Sequence, residues 1–459
     1  MTGSSQLAPA PIGARGKTKG SFGFAFGRRF FLLLLIGLVW IGPAWASLKY
    51  LLGMALWDVV VLAMWAVDLS RLPKPEEIEI RRSWQSTLQL REPSEATLEF
   101  TNRGKSDILL RAQEEVPVGL RKEIPEVDVR VPAGGSQTAT YSICPRERGD
   151  MNFGTTHLRY QSAWQIAERW ASATLKQTIR IYPNFQESKK DTIYLIRSRQ
   201  IALEKRLKHQ PGQGREFESL REYRESDEWR DICWSATARR AKLISKSYQT
   251  ERSQTVWLVL DAGRLMRTRV KGLSKLDYAV GAALSLAQVA LYSGDRVAML
   301  GYGRRILQRL PPGRGAGHIR ALLDGLALVR GEELEADHRR AVEALAVLQK
   351  RRSLVVWLTD LAETATMPEV IESAMHMAQR HLVLFTVIGQ PELRAMIHER
   401  PENARQMFRQ TAALEIVQRR DLLLRTLRQH GALTLEVEPA KLSTAVVNQY
   451  LMAKDRSLI

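Results

Sequence analysis

The chain has 459 residues, 45% of them hydrophobic and 25% charged, and a formal net charge of +19 at pH 7. That length accommodates two or three domains of ordinary size. Its two cysteines, Cys144 and Cys233, exclude a disulfide framework and a cysteine-based zinc site.

Residues 1–27 are rich in Gly, Ser, Ala and Pro and include Arg15, Lys17 and Lys19; this composition predicts a disordered basic tail. An apolar stretch follows over 30–46, interrupted by Ser47-Leu48-Lys49-Tyr50, and a second runs over 51–69. Each is close to the roughly 20 residues a bilayer requires. A second span follows the first at once and no clean small-residue cleavage site separates them, so a helical hairpin over 28–72 is expected rather than a signal peptide. Arg28 and Arg29 precede the first span, Arg71, Lys74, Arg81 and Arg82 follow the second, and the turn carries only Lys49. Positive residues stay inside, so two transmembrane helices are expected in a bacterial inner (cytoplasmic) membrane, with all later domains cytoplasmic. Asp58 lies in the second span, where a mid-bilayer carboxylate costs about 2.5–3.5 kcal/mol. The favoured reading puts it near the outer interface of a tilted helix; the alternative is contact with a partner helix.

Residues 73–185 change to short alternating runs such as Glu77-Ile78-Glu79-Ile80 and Ala96-Thr97-Leu98-Glu99-Phe100, separated by Asn102-Arg103-Gly104, Pro132-Ala133-Gly134-Gly135 and Arg148-Gly149-Asp150. Strands at that spacing predict a small β-sandwich. A charged connector begins at 186. From 251 to 459 strands alternate with helices, and the strands are continuous Val/Leu/Ile runs, as in a parallel sheet covered on both faces. A doubly wound, Rossmann-type α/β domain is expected there.

The stretch leading into that domain is dense in charge and aromatics. It carries Gly212, Gly214, Glu216, Phe217, Leu220, Arg221, Tyr223, Asp227, Arg230, Ile232, Trp234, Ala238 and Arg239. This run resembles the signature of the bacterial domain of unknown function 58 family, with Ser226-Asp227 where the family pattern has Gly-Asp. Together with the connector it occupies 186–250, and it reads as an ordered, ion-paired segment with Trp229 and Trp234 as core or interface anchors.

Two strands end in aspartate, Leu258-Val259-Leu260-Asp261 and Val356-Trp357-Leu358-Thr359-Asp360. Carboxylates at the carboxyl rim of such a sheet suit a hard cation. The pair resembles the metal-ion-dependent adhesion site of von Willebrand factor A domains. By that resemblance Asp261 and Asp360 are candidate Mg²⁺ ligands. The site is degenerate, because Gly263 and Leu265 stand where the motif has serines. Thr268 or Ser274 is the candidate for the missing threonine ligand. The structural alternative is that both aspartates cap helices or pair with Arg221 or Arg230. Gly313-Arg314-Gly315-Ala316-Gly317 lacks the Lys-Ser/Thr of a phosphate loop and reads as a mobile loop. No H-E-x-x-H and no G-x-S-x-G occurs.

The basic residues are spread among acidic ones, and no helix-turn-helix, zinc-finger or RNA-binding aromatic motif appears. A solvated basic surface beside an anionic membrane is therefore expected, not a nucleic-acid partner. The family resemblance implies association with a MoxR-type AAA+ ATPase. The expected function is then a non-enzymatic, membrane-anchored protein-binding adaptor in assembly or remodelling of protein complexes. The alternatives are a metal-dependent enzyme using the Asp261/Asp360 rim, and an envelope structural or sensor protein acting through the sandwich.

Overall fold

The computed structural model describes residues 14–41, 49–121, 123–184, 216–224, 229–249, 254–360, 368–456 and 458. The chain divides into two compact units, Met1–Asn184 and Phe185–Ile459.

The first unit is built on eight strands: β1 (Ala14–Phe26), β2 (Ile78–Trp84), β3 (Ser94–Asn102), β4 (Ile108–Glu114), β5 (Glu126–Val131), β6 (Ser136–Ile143), β7 (Gly149–Ser162) and β8 (Ala167–Ile181). Their order is β5-β4-β7-β8-β1-β2-β3-β6, and every pairing is antiparallel. Alternation sorts the side chains. Ala96, Leu98 and Phe100 of β3 and Ile108, Leu110 and Ala112 of β4 enter one core, while the residues between them are more exposed. β1 corrects the expectation of a disordered tail over 1–27. Residues 14–17 pair with β2 and residues 18–26 with β8, so this strand passes from one half of the sheet to the other. Residues 1–13 lie outside the described ones. Residues 86–90 form no strand, and Gln89 makes a single bridge to Tyr182.

An ion pair lies inside this core. Arg82 and Glu114 are both buried and face each other. Arg82 also donates to the Leu175 carbonyl at 3.1 Å, and its guanidinium lies 4.8 Å from the centroid of the Phe153 ring. Burial raises the Glu114 carboxyl above its ordinary range, and the Arg82 charge opposes that shift.

Between β1 and β2 lie the apolar helices. The first is an α-helix only over Arg28–Gly37, followed by one 3-10 turn, Leu38–Trp40. The second is the helix Lys49–Arg71, in which Val61 and Asp68 are the buried residues. By length and composition, this is the one described helix able to cross a membrane. The two helices pack together: Trp57 donates its indole N–H to the Leu33 carbonyl at 2.9 Å. Asp58 sits mid-helix, not near an end, and faces Gly37 of the first helix. A Cβ on Gly37 would come within 2.7 Å of Trp57 and 3.4 Å of Asp58, so glycine permits this approach.

In the second unit the family signature forms its own small layer. β9 (Glu216–Glu222) pairs with β10 (Ile244–Gln249), and a short helix, Trp234–Arg240, lies between them in sequence. Among its described residues Ile232, Ile244 and Ser245 are buried, and Cys233 donates its N–H to the Ile244 carbonyl at 2.8 Å. Trp229 and Trp234 are 73% and 64% exposed, so of the two expected roles, core or interface anchor, the first is excluded.

The rest is a six-stranded sheet of β11 (Thr255–Asp261), β14 (Arg296–Tyr302), β15 (Ile306–Gly313), β16 (Leu354–Thr359), β17 (Leu382–Ile388) and β18 (Leu433–Val437); a two-residue ladder, β12 (Arg269–Val270) with β13 (Leu273–Ser274), lies outside it. The order is β15-β14-β11-β16-β17-β18, parallel except at β15. Helices Lys275–Tyr292, Gly315–Leu328 and Leu442–Asp455 pack together, and helices His338–Leu348, Pro368–Arg380 and Ala404–Gln429 form a second group. Pro311 and Pro312, expected in a mobile loop, end the antiparallel edge strand, where a missing N–H costs no ladder bond.

Arg82→Ala should destabilise the first unit by about 3–5 kcal/mol, because it strands a buried carboxylate. Arg82→Met with Glu114→Leu should cost much less than either single change. Denaturation of the purified variants checks this; equal losses in single and double variants would contradict it.

Candidate functional site

Strands β11 and β16 are neighbours at the point where the sheet order reverses, and ligands in such sheets bind beyond the carboxyl ends there. Asp261 closes β11, and Asp360 directly follows β16. Both are buried. The structure thus brings the two predicted carboxylates to one rim.

What surrounds them differs from a cation site. Asp360 is held by two basic side chains. Lys275 Nζ bonds to its Oδ2, and Arg420 Nη2 lies 3.4 Å from its Oδ1. Lys275 and Arg420 are themselves buried. Lys275 is the first residue of its helix, while Arg420 comes from the long helix Ala404–Gln429 and also reaches Glu436 of β18 at 3.6 Å. Burial pulls the Lys275 ammonium below its ordinary range, and Asp360 opposes this.

Asp261 is bonded to neutral partners. The Gly263 N–H donates to its Oδ1 at 2.7 Å, and the Thr359 hydroxyl donates to its Oδ2 at 2.6 Å. Burial raises its carboxyl above the usual range; His338, Thr359 and Gly263 oppose the shift. Beside it runs a buried relay. Trp357 donates its indole N–H to the Tyr302 oxygen at 2.7 Å, and that hydroxyl lies 2.8 Å from His338 Nδ1. Burial lowers the His338 pKa, and the Asp261 and Asp337 carboxylates oppose the shift.

Lys275 occupies the position where charge compensation by a cation would be needed. Gly263 cannot carry the motif's serine, because its Cβ would stand 2.8 Å from the Ala336 nitrogen and 2.9 Å from the Ala336 Cβ. The Ser274 hydroxyl is committed to a capping box with Asp277, at 2.6 and 3.1 Å. Thr268 is exposed and meets Lys275 through its backbone carbonyl. Among the described residues no three His, Cys, Asp or Glu side chains gather where they could hold a metal. These residues do not fit a divalent cation. Of the alternatives, the side chains of Arg221 and Arg230 are outside the described ones, as are residues 212, 214 and 227.

The cleft over the rim is lined by Asp261, Gly263, Arg264, Glu335, His338 and Asp360 among others, and its enclosed part of about 20 Å³ has room for one water. Nothing in the sequence around Arg420, Tyr302 or His338 marks them as rim residues, and Lys275 is marked only faintly. The only local signal was the lysine directly after a serine N-cap.

Asp261→Asn should keep both hydrogen bonds, with the amide carbonyl accepting from Gly263 and the NH₂ donating to Thr359. A carboxyl whose folded pKa is raised contributes stability that is complete below the unfolded value of about 3.9 and is lost as pH rises through the folded value. Thermal midpoints across a pH series should therefore fall more steeply with rising pH in the parent than in Asp261→Asn. Parallel slopes would contradict a raised Asp261. Lys275→Ala should cost about 3–5 kcal/mol by leaving Asp360 with Arg420 alone.

The sequence model of the family described as "Protein of unknown function DUF58" matches residues 219–396. That range holds Leu220 to Arg239 of the signature and both rim aspartates. "Uncharacterized protein Rv1480" of Mycobacterium tuberculosis (strain ATCC 25618 / H37Rv) is 26% identical over 152 residues, 33% of this chain and 48% of that protein. "Uncharacterized protein YeaD" of Bacillus subtilis (strain 168) is 21% identical over 246 residues, 53% of this chain and 56% of that protein. The chain thus spans about half the length of these curated relatives. Among solved structures, conserved hypothetical protein BatB from Bacteroides thetaiotaomicron overlaps at TM-score 0.32 with 14% identity, covering 44% of this chain and 100% of that one, too loose an overlap to carry a fold assignment. Over residues 219–396, this chain carries the DUF58 domain.

Proposed function

We propose that the chain is a non-enzymatic adaptor, tethered by a transmembrane hairpin to the bacterial inner membrane with its folded units cytoplasmic. Its second unit works as a von Willebrand A-like protein-binding platform for a MoxR-type AAA+ ATPase. The ATPase rests on the family resemblance of the signature run. The platform reading rests on the sheet order, with its first strand at the centre and an antiparallel edge.

One observation carries the binding role. The 26-residue helix Ala404–Gln429 buries Ala413, Arg420, Leu423, Leu424 and Leu427. Elsewhere on its surface Met407, Phe408, Leu414 and Leu422 are exposed, Phe408 at 71% and Leu422 at 67%. Helix Pro391–His398 packs against it, and the Gln410 amide donates to the carbonyls of Ile397 and Glu399 at 2.8 and 3.0 Å. Met396 adds a further exposed apolar side chain. Large apolar side chains grouped on one element mark a contact surface, and methionines suit an adaptable one. Arg420 fixes this helix from behind through Asp360, so the rim sets the helix position rather than holding a substrate.

Full-length tagged protein, recovered from gently solubilised membranes with ATP and Mg²⁺, should bring down an AAA+ ATPase. Phe408→Asp with Leu422→Asp should reduce recovery at least tenfold, and Asp360→Ala should also reduce it. Recovery of envelope proteins alone, unchanged by these substitutions, would overturn the adaptor reading.

A further inference from the structure

The helices between β1 and β2 leave the first unit from one end, and that end has a particular chemistry. β1 and β2 pair directly, so the chain enters and leaves the apolar segment on the same side. Any membrane crossings between them are even in number. If helix Lys49–Arg71 crosses, the chain before it must cross as well.

The helices are fastened to the strands. Asp68 is buried, accepting from the Ser162 hydroxyl at 2.5 Å and from the N–H groups of Ile166 and Ala167 at 3.2 and 2.8 Å. Trp57, Val61, Trp65 and Asp68, on one helix face, all take part in the docking. Trp57 and Val61 meet the first helix, Trp65 donates to the Ala25 carbonyl at 3.2 Å, and Asp68 grips the β7–β8 turn. Gly27 N–H bonds to the Ile166 carbonyl at 2.7 Å, and a Cβ there would collide with Gln165. The strand domain is therefore fixed to the helix pair by buried contacts rather than hung on a linker.

Around this junction, exposed aromatic and basic side chains alternate. Phe24 and Phe26 pack on Trp65 with centroids 5.5 and 4.9 Å apart. Trp164 stands on the β7–β8 turn under the Arg71 guanidinium, 4.7 Å from its ring, and its carbonyl accepts from Arg29 at 3.3 Å. Arg28 is exposed beside them. Beyond this ring the helices carry outward-facing Leu32, Leu35, Leu52 and Leu56. Amphipathic rings and arginines bordering an apolar span are the chemistry of a membrane–water interface.

We propose that this end of the strand domain is a lipid-binding collar, in which Phe24, Phe26, Trp164, Arg28, Arg29 and Arg71 lie in the headgroup layer of an anionic leaflet. The collar rests on the membrane-anchor reading above. It holds the domain against the bilayer with the β7–β8 turn down, and the loop after β2 faces away.

The test uses full-length protein with Cys144→Ser and Cys233→Ser, a single cysteine at Ala163→Cys or Ser86→Cys, and an environment-sensitive fluorophore on each. Vesicles contain phosphatidylcholine, phosphatidylglycerol and a headgroup spin-labelled lipid as quencher. Quenching at position 163 should exceed that at position 86 at least threefold, and should weaken when Arg28, Arg29 and Arg71 are changed to Ser. Protein that floats with the vesicles but is quenched equally at both positions overturns the collar and leaves the anchor standing. Protein that does not float overturns both.

Discussion

Asp360 sits out of water between Lys275 and Arg420, and the second unit is arranged around that contact. Three elements meet there: the start of the helix after β13, the end of β16, and the middle of the long helix that also reaches β18. Taking these charges out of water costs several kcal/mol per ion before their attraction is counted. Such a cluster adds little net stability, but losing one member is severe, so it fixes geometry. Here it fixes where the long helix lies, and with it the exposed Phe408 and Leu422. A bound metal could dissociate; a lysine in the chain cannot. On this account the rim is permanently compensated, and Asp261, with neutral hydrogen-bond partners, stands beside it as a carboxyl that burial keeps protonated more easily than usual.

The same device recurs in the first unit. Arg82 and Glu114 pair inside the strand core, and Asp68 accepts three hydrogen bonds where the long apolar helix meets the β7–β8 turn. In each case a buried charge joins elements far apart in sequence. The strands on either side of the apolar segment pair with each other, so the segment behaves as an insertion into a sheet rather than an appended anchor.

The α/β sheet was legible because buried parallel strands are unbroken apolar runs, and Val256 to Asp261 and Val356 to Asp360 show both the strand and its end. The antiparallel edge was hidden by Pro311 and Pro312, which argue against a strand anywhere but at an edge. β1 was hidden because Arg-Gly-Lys-Thr-Lys-Gly-Ser has no apolar period of its own; its ladder bonds come from strands more than fifty residues away. The lengths of β7 and β8 were hidden as well, since their exposed positions carry Thr, Gln and Arg at irregular intervals. The aspartate pair was predicted from strand ends alone. Its partners could not be, because Lys275 becomes a buried cation only when β16 places Asp360 against it, 85 residues later. The serine missing at Gly263 has its reason in Ala336, equally remote in sequence.

The central claim is that Lys275 does at this rim what a divalent cation would otherwise do. The most direct test is the thermal midpoint of the full-length protein in detergent, measured with a chelator and again with millimolar Mg²⁺. The account predicts the same midpoint in both. A midpoint that rises with Mg²⁺, and no longer rises in Asp360→Ala, would show that the rim takes a metal and that Lys275 does not replace it.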